Sequence, residues 1–296
     1  MKTNLKKCSL NDLLFPVEMV ECTDFQCNND YQYDIFAYPN GEKIRVNVCS
    51  DRYQLIPNND IFPVIEQILV QNDVQFTADY SMINHSRFYV EYIIENPKFA
   101  YPIGNGDVVK PCIKVQHSYN GLTKYSITVG FFRLVCTNGL VIAIEDMKEF
   151  NLNIVGKHTE NIKNSLNRLE QSLTMFEENS SVLQTIINKY QMLNSVPIVN
   201  LKQAIETTLK NSGITAVDNK SLNTVDSIYN RITAELNNPT IEFNGATNWI
   251  LYNGINSYIF DDNLNIATPD IRTAKDQTVF EYLLAESKKY LTLETV

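Results

Sequence analysis

Apolar and polar residues alternate along the first half of the chain and recur every three or four positions along the second. Alternation sends successive side chains to opposite faces of a strand, whereas spacings of three and four gather them on one face of a helix. Val17 to Cys22, Tyr31 to Tyr38, Lys43 to Cys49, Arg52 to Ile56, Val74 to Tyr80 and Ser86 to Ile94 therefore read as strands. Pro39-Asn40-Gly41 is turn chemistry and joins two of them into a hairpin. Asn58 or Asn59 can cap a helix from Asp60 to about Gln71, where Pro63 is tolerated because it falls in the first turn. Pro97 to Val109, with Pro102 and Gly104-Asn105-Gly106, reads as a loop.

The densest extended stretch runs from Pro111 to Ile144. Asn120-Gly121 suits the two φ > 0 positions of a type I′ turn, so a two-residue hairpin is expected there. Such a turn sets Tyr119 opposite Leu122 and His117 opposite Lys124. Past residue 156 the period changes. Ile162, Leu166, Leu169, Leu173 and Phe176 form one apolar stripe, expected to pack on a second helix carrying Leu183 to Leu193. Further helices are expected at Leu201 to Lys210, Ser221 to Leu236, Ala246 to Phe260 and Thr278 to Tyr290. The fold class is α+β: an N-terminal antiparallel sheet with one or two helices, then a mainly helical half. The natural division is a β-rich domain over 1–155 and a helical region over 156–296 packed on it, unless the two form one continuous domain.

Composition narrows the function classes. With 296 residues and 44% hydrophobic content the chain can bury a substantial core. No apolar run approaches the roughly 20 residues of a membrane span. The first residues carry Asp12, Pro16 and Glu18 where a signal peptide is apolar, which points to a cytoplasm. Six cysteines are scattered without a CxxC pair, so free buried thiols are expected rather than a zinc site or a disulfide framework. The net charge of -9 opposes a generally basic nucleic-acid binder, and residues 1–160 (14 basic, 19 acidic) are no more basic in balance than 161–296 (11 and 15). Any cationic site must be local.

Several segments resemble the phage/plasmid-like protein family, a domain of unknown function found in phages, prophages and plasmids. They are Ser50-Asp51-Arg52-Tyr53-Gln54-Leu55-Ile56-Pro57-Asn58-Asn59, Ser118-Tyr119-Asn120-Gly121, Arg133-Leu134-Val135-Cys136-Thr137-Asn138-Gly139-Leu140, Lys157-His158-Thr159 and Trp249-Ile250-Leu251-Tyr252-Asn253-Gly254-Ile255-Asn256. Asn120 stands where that pattern has an acidic residue, and Gly139 where it has Thr. The resemblance implies a mobile-element setting and supplies no mechanism.

The candidate chemistry concentrates around the hairpin. Tyr119 or Tyr125 could stack a base while Lys114, Lys124 and Arg133 hold phosphates, as single-strand binders combine stacking with cationic grooves. Lys157 and His158 stand at a helix entry, where free N–H groups can receive an anion. Against this, the same residues fit a half-buried hairpin with solvated lysines. Cys136 could act as a nucleophile with His117 or His158, although its apolar setting suits a structural thiol better. Glu145-Asp146-Met147-Lys148 after an apolar run is half of a metal-dependent nuclease pattern, with Asp107 a poor second carboxylate. No motif demands a metal or cofactor: there is no GxxxxGK[ST], HExxH or GxSxG.

Three functions follow. The first is a non-enzymatic single-strand binding or annealing factor of mobile-element DNA metabolism. The second is an acidic interaction protein aimed at a host protein, since negative charge can imitate nucleic acid. The third is the nuclease. A homo-oligomer is compatible with each.

Overall fold

In the computed structural model the described residues are 5–22, 33–104, 106–133, 139–141, 154–156, 164, 166–167, 169, 173, 180–214, 221–237, 245–261 and 269–294. The fold is α+β, with strands in the N-terminal part and helices after it. The chain forms two compact units, one of Met1–Phe99, Pro111–Gly130 and Met147–Glu178, the other of Ala100–Lys110, Phe131–Asp146 and Asn179–Val296.

The first unit holds strands β1 (Lys6–Cys8), β2 (Val17–Glu21), β3 (Tyr33–Ala37), β4 (Ile44–Cys49), β5 (Phe76–Ile83) and β6 (Arg87–Ile94), with helices α1 (Leu10–Leu13) and α2 (Phe62–Gln71). Strands β2, β3 and β4 make a three-stranded antiparallel sheet in that order. Its β3–β4 connection is the expected turn, with Asn40 at φ 53° and Gly41 at φ 82°. A second sheet runs β1, β5, β6, then β8 (Asp107–Ser118) and β9 (Tyr125–Arg133). Register sets Tyr80 beside Val90 and Val90 beside Val115. That parity puts Met82, Phe88, Val90, Tyr92, Ile113 and Val115 on one face, all buried. Helix α2 covers this face: the Tyr80 hydroxyl donates to Glu66 at 2.6 Å and Tyr92 reaches the Phe62 carbonyl. Asp79, Tyr89, Glu91, Lys114 and Gln116 have the opposite parity and stay partly exposed.

The second unit holds β7 (Tyr101–Gly104), which pairs with the first residues of β8, and β10 (Gly139–Val141). Its helices are α3 (Ser180–Asn194), α4 (Leu201–Asn211), α5 (Ser221–Leu236), α6 (Asn248–Ile259) and α7 (Pro269–Glu294). Helix α6 is buried on nearly every face, Trp249 to Asn256 inclusive. Such a helix must be surrounded by apolar neighbours, which α3, α5 and α7 supply through Ile187, Tyr190, Ile228, Ile232, Val279 and Leu283.

Four expectations are corrected. Arg52 to Ile56 forms no strand. Tyr101–Gly104 and Asp107 onward do form strands, because Gly104 (φ 142°) and Gly106 (φ 79°) turn the chain sharply there. Neither Asn58 nor Asn59 caps α2, whose N-cap is Ile61; Asn58 instead turns its amide to the Leu13 carbonyl. Cys22 is disulfide-bonded, whereas Cys8, Cys49 and Cys112 are free. Of the long stripe, Leu166, Leu169 and Leu173 are helical and buried. Among the described residues no helix is long and apolar enough to cross a membrane.

Candidate nucleic-acid interface

Three segments of the first unit converge at one end of the larger sheet. Strand β8 ends at Ser118 and β9 begins at Tyr125, so residues 119–124 connect them rather than a two-residue turn. Only Gly121 takes a positive φ, 68°. The type I′ geometry fails because Asn120 spends its side chain elsewhere: its Oδ1 accepts from the Leu122 N–H at 3.1 Å and its amide donates to Ser86 Oγ at 3.0 Å. Ser118 closes the loop, donating to the Thr123 carbonyl at 2.7 Å and accepting from the Thr123 N–H at 3.1 Å. The neighbouring β5–β6 connection carries Asn84 and His85, both at positive φ. The third segment approaches through Tyr53, whose hydroxyl lies within reach of the Ser118 and Tyr119 carbonyls.

Beneath this tip lies an aromatic core. Tyr119 is fully buried, and its phenolic oxygen accepts the Asn58 backbone N–H at 2.9 Å. Its ring meets Phe88 at 4.9 Å, His117 at 5.4 Å and Phe15 at 6.2 Å. Burial holds its hydroxyl protonated well above the ordinary tyrosine range. His117 is also buried, its Nε2 donating to the Ile56 carbonyl at 3.0 Å, and Tyr125 packs edge-on against it.

The expected stacking surface is therefore corrected: neither Tyr119 nor Tyr125 offers a ring face to solvent, since both point to the α2 side of the sheet. Lys114 lies on the other face, paired with Glu91 at 3.2 Å. Lys124 is exposed beside the tip. Arg133 is buried in the second unit, its Nε 2.7 Å from Asp107 Oδ2 and its Nη1 2.5 Å from Glu235, with the guanidinium 5.4 Å from the Trp249 ring centroid. It is a structural cation there, not a phosphate contact. Lys157 and His158 lie outside the described residues, as do Cys136 and Glu145 to Lys148. Asp107 is already committed: it also accepts from the Trp249 indole N–H at 2.7 Å.

What the structure places at the surface of the tip is a different set. Leu122 is 71% exposed, Gly121 and Lys124 are exposed, and Arg52 next to Tyr53 is exposed. Of these only Lys124 was expected from sequence. Arg52 lies inside a segment whose pattern predicts a strand, and the expected two-residue turn makes Leu122 a strand residue opposite Tyr119.

A family model for a domain of unknown function, DUF932, matches residues 45–282. The chain belongs to the DUF932 family. The match contains every segment on which the resemblance rested, and it spans both the Tyr119 tip and the Arg133–Asp107–Trp249 cluster. No curated protein and no solved structure matches the chain significantly.

Proposed function

We propose that this DUF932 protein is a non-enzymatic factor of mobile-element DNA metabolism, acting in the host cytoplasm, that holds single-stranded nucleic acid at the tip of its first unit. Arg52 and Lys124 contact phosphates, and Leu122 contacts bases. The observation that carries this reading is the tip itself, where exposed Leu122 and Lys124 stand on a loop pinned by the Ser118–Thr123 and Asn120–Ser86 bonds, and exposed Arg52 precedes the Tyr53 that reaches the loop's carbonyls. A pinned loop loses little conformational freedom on binding, so few contacts suffice for useful affinity. Strand annealing during recombination is the process such a factor would assist.

Anisotropy of a labelled single-stranded oligonucleotide tests this. Two phosphate contacts give a shallow log–log salt slope, roughly -1.4 at about -0.7 per phosphate. Lys124→Glu and Arg52→Glu should each weaken binding and flatten that slope, with the circular dichroism spectrum unchanged because both side chains are exposed. Absence of wild-type binding at low salt and tens of micromolar protein would end the reading.

A second reading is favoured by a specific observation. On the partly exposed sheet face Lys7 pairs with Asp79 at 3.1 Å and Lys114 with Glu91 at 3.2 Å, in a chain of net charge -9. A surface neutralised in this way suits a protein partner from the host better than a phosphate backbone.

A further inference from the structure

Resting on the single-strand reading, we infer that Leu122 is a wedge and that the substrate is a junction between single and double strands rather than a plain single strand. An exposed leucine alone means little, because isolated apolar side chains are common on surfaces. Leu122 differs in how it is held. Its own N–H is fixed to Asn120 Oδ1 at 3.1 Å, and the next residue is clamped by both bonds to Ser118. The loop base is anchored through the buried Tyr119 ring and its bond from Asn58. The side chain thus stands 71% exposed at the apex of a rigid hairpin, with Lys124 two residues on. Apolar wedges set among cations are the devices by which proteins part a base step, the leucine taking the place of the stacked neighbour and the cations the flanking phosphates. A plain single strand offers less for such a wedge, because its bases are already free to unstack. At a junction the terminal pair is the weakest step, and the unstacking cost is lowest there.

The test compares a forked duplex, the matching single strand and the matching blunt duplex, each labelled, with 2-aminopurine at the terminal pair of the fork. The wild type should bind the fork at least about fivefold tighter than the single strand and brighten the 2-aminopurine. Leu122→Ser should lose that preference and the brightening, a loss of about tenfold on the fork if most of one leucine is buried there, against a smaller loss of about threefold on the single strand, where the side chain only contacts an already unstacked base. Lys124→Glu should weaken all substrates together. Equal wild-type affinity for fork and single strand, or an intact fork preference in Leu122→Ser, overturns the wedge and leaves the single-strand reading standing. No binding to any of the three overturns both.

Discussion

Replacing Arg133 by methionine removes a guanidinium that holds two buried carboxylates and leaves an apolar stem of similar reach. The side chains of Arg133, Asp107 and Glu235 are 0%, 1% and 7% exposed. Taking one partner out of a buried ion pair strands the remaining charge in a poor solvent, at a cost of about 3–5 kcal/mol. Loss of the contact over the Trp249 ring adds up to about 2 kcal/mol more. Against a typical stability of about 5–15 kcal/mol this is a large fraction, and it corresponds to a fall in melting temperature on the order of 10 °C. The chain supplies its own reporter, because Trp249 is the only tryptophan and its indole N–H donates to Asp107. Urea unfolding followed by tryptophan fluorescence should show an earlier midpoint for Arg133→Met. The combination Arg133→Met/Asp107→Asn/Glu235→Gln should recover part of the loss, since it removes the stranded charges. A single variant within about 1 kcal/mol of wild type would refute the reasoning, because no buried three-membered charge cluster could then be in place. Charge reversal at Arg133 is for the same reason a folding mutation and cannot report on nucleic-acid binding.

Gly254 lies on α6 against Ile232 of α5, and a Cβ added there would sit 2.7 Å from Ile232 Cδ1; Gly254→Ala should lower stability by about 1–2 kcal/mol despite a better helix propensity, measured by chemical denaturation. Tyr119→Phe leaves the buried Asn58 N–H without its acceptor and should cost about 1–3 kcal/mol in the same assay. Burial pushes the Cys112 thiol from 9.0 up to about 12. The fold favours its protonated form, so this contribution is fully present below about pH 9 and is lost as pH rises toward 12, which alkaline melts should show; in the folded protein near pH 8.5 Cys112 should resist alkylation and react promptly once urea is added.

Period alone found most of the elements, down to the bounds of Ser221–Leu236, because helix and strand repeats are local properties. The hairpin turn departs from its dipeptide preference where a group outside it intervenes: Asn120 is held by Ser86, 34 residues away in sequence. By residue type alone, a tyrosine beside lysines looks like a stacking platform. Parity held the better signal. Counting by twos along β8 gives Asp107, Val109, Pro111, Ile113, Val115, His117 and Tyr119, and all are buried. Along β9 Tyr125, Ile127, Phe131 and Arg133 share one parity, and these are buried too. An inward position shared with Val, Ile and Phe predicts a buried ring, so the tyrosines could have been placed inside from sequence. It also predicts a buried arginine, which cannot stand without a carboxylate beside it. On β8 the inward row begins with Asp107, and the structure sets that carboxylate 2.7 Å from the guanidinium. Partners from the helices, Glu235 and Trp249, follow no such count. The Trp249–Asp107 bond spans 142 residues, and only the assembled second unit brings the two together.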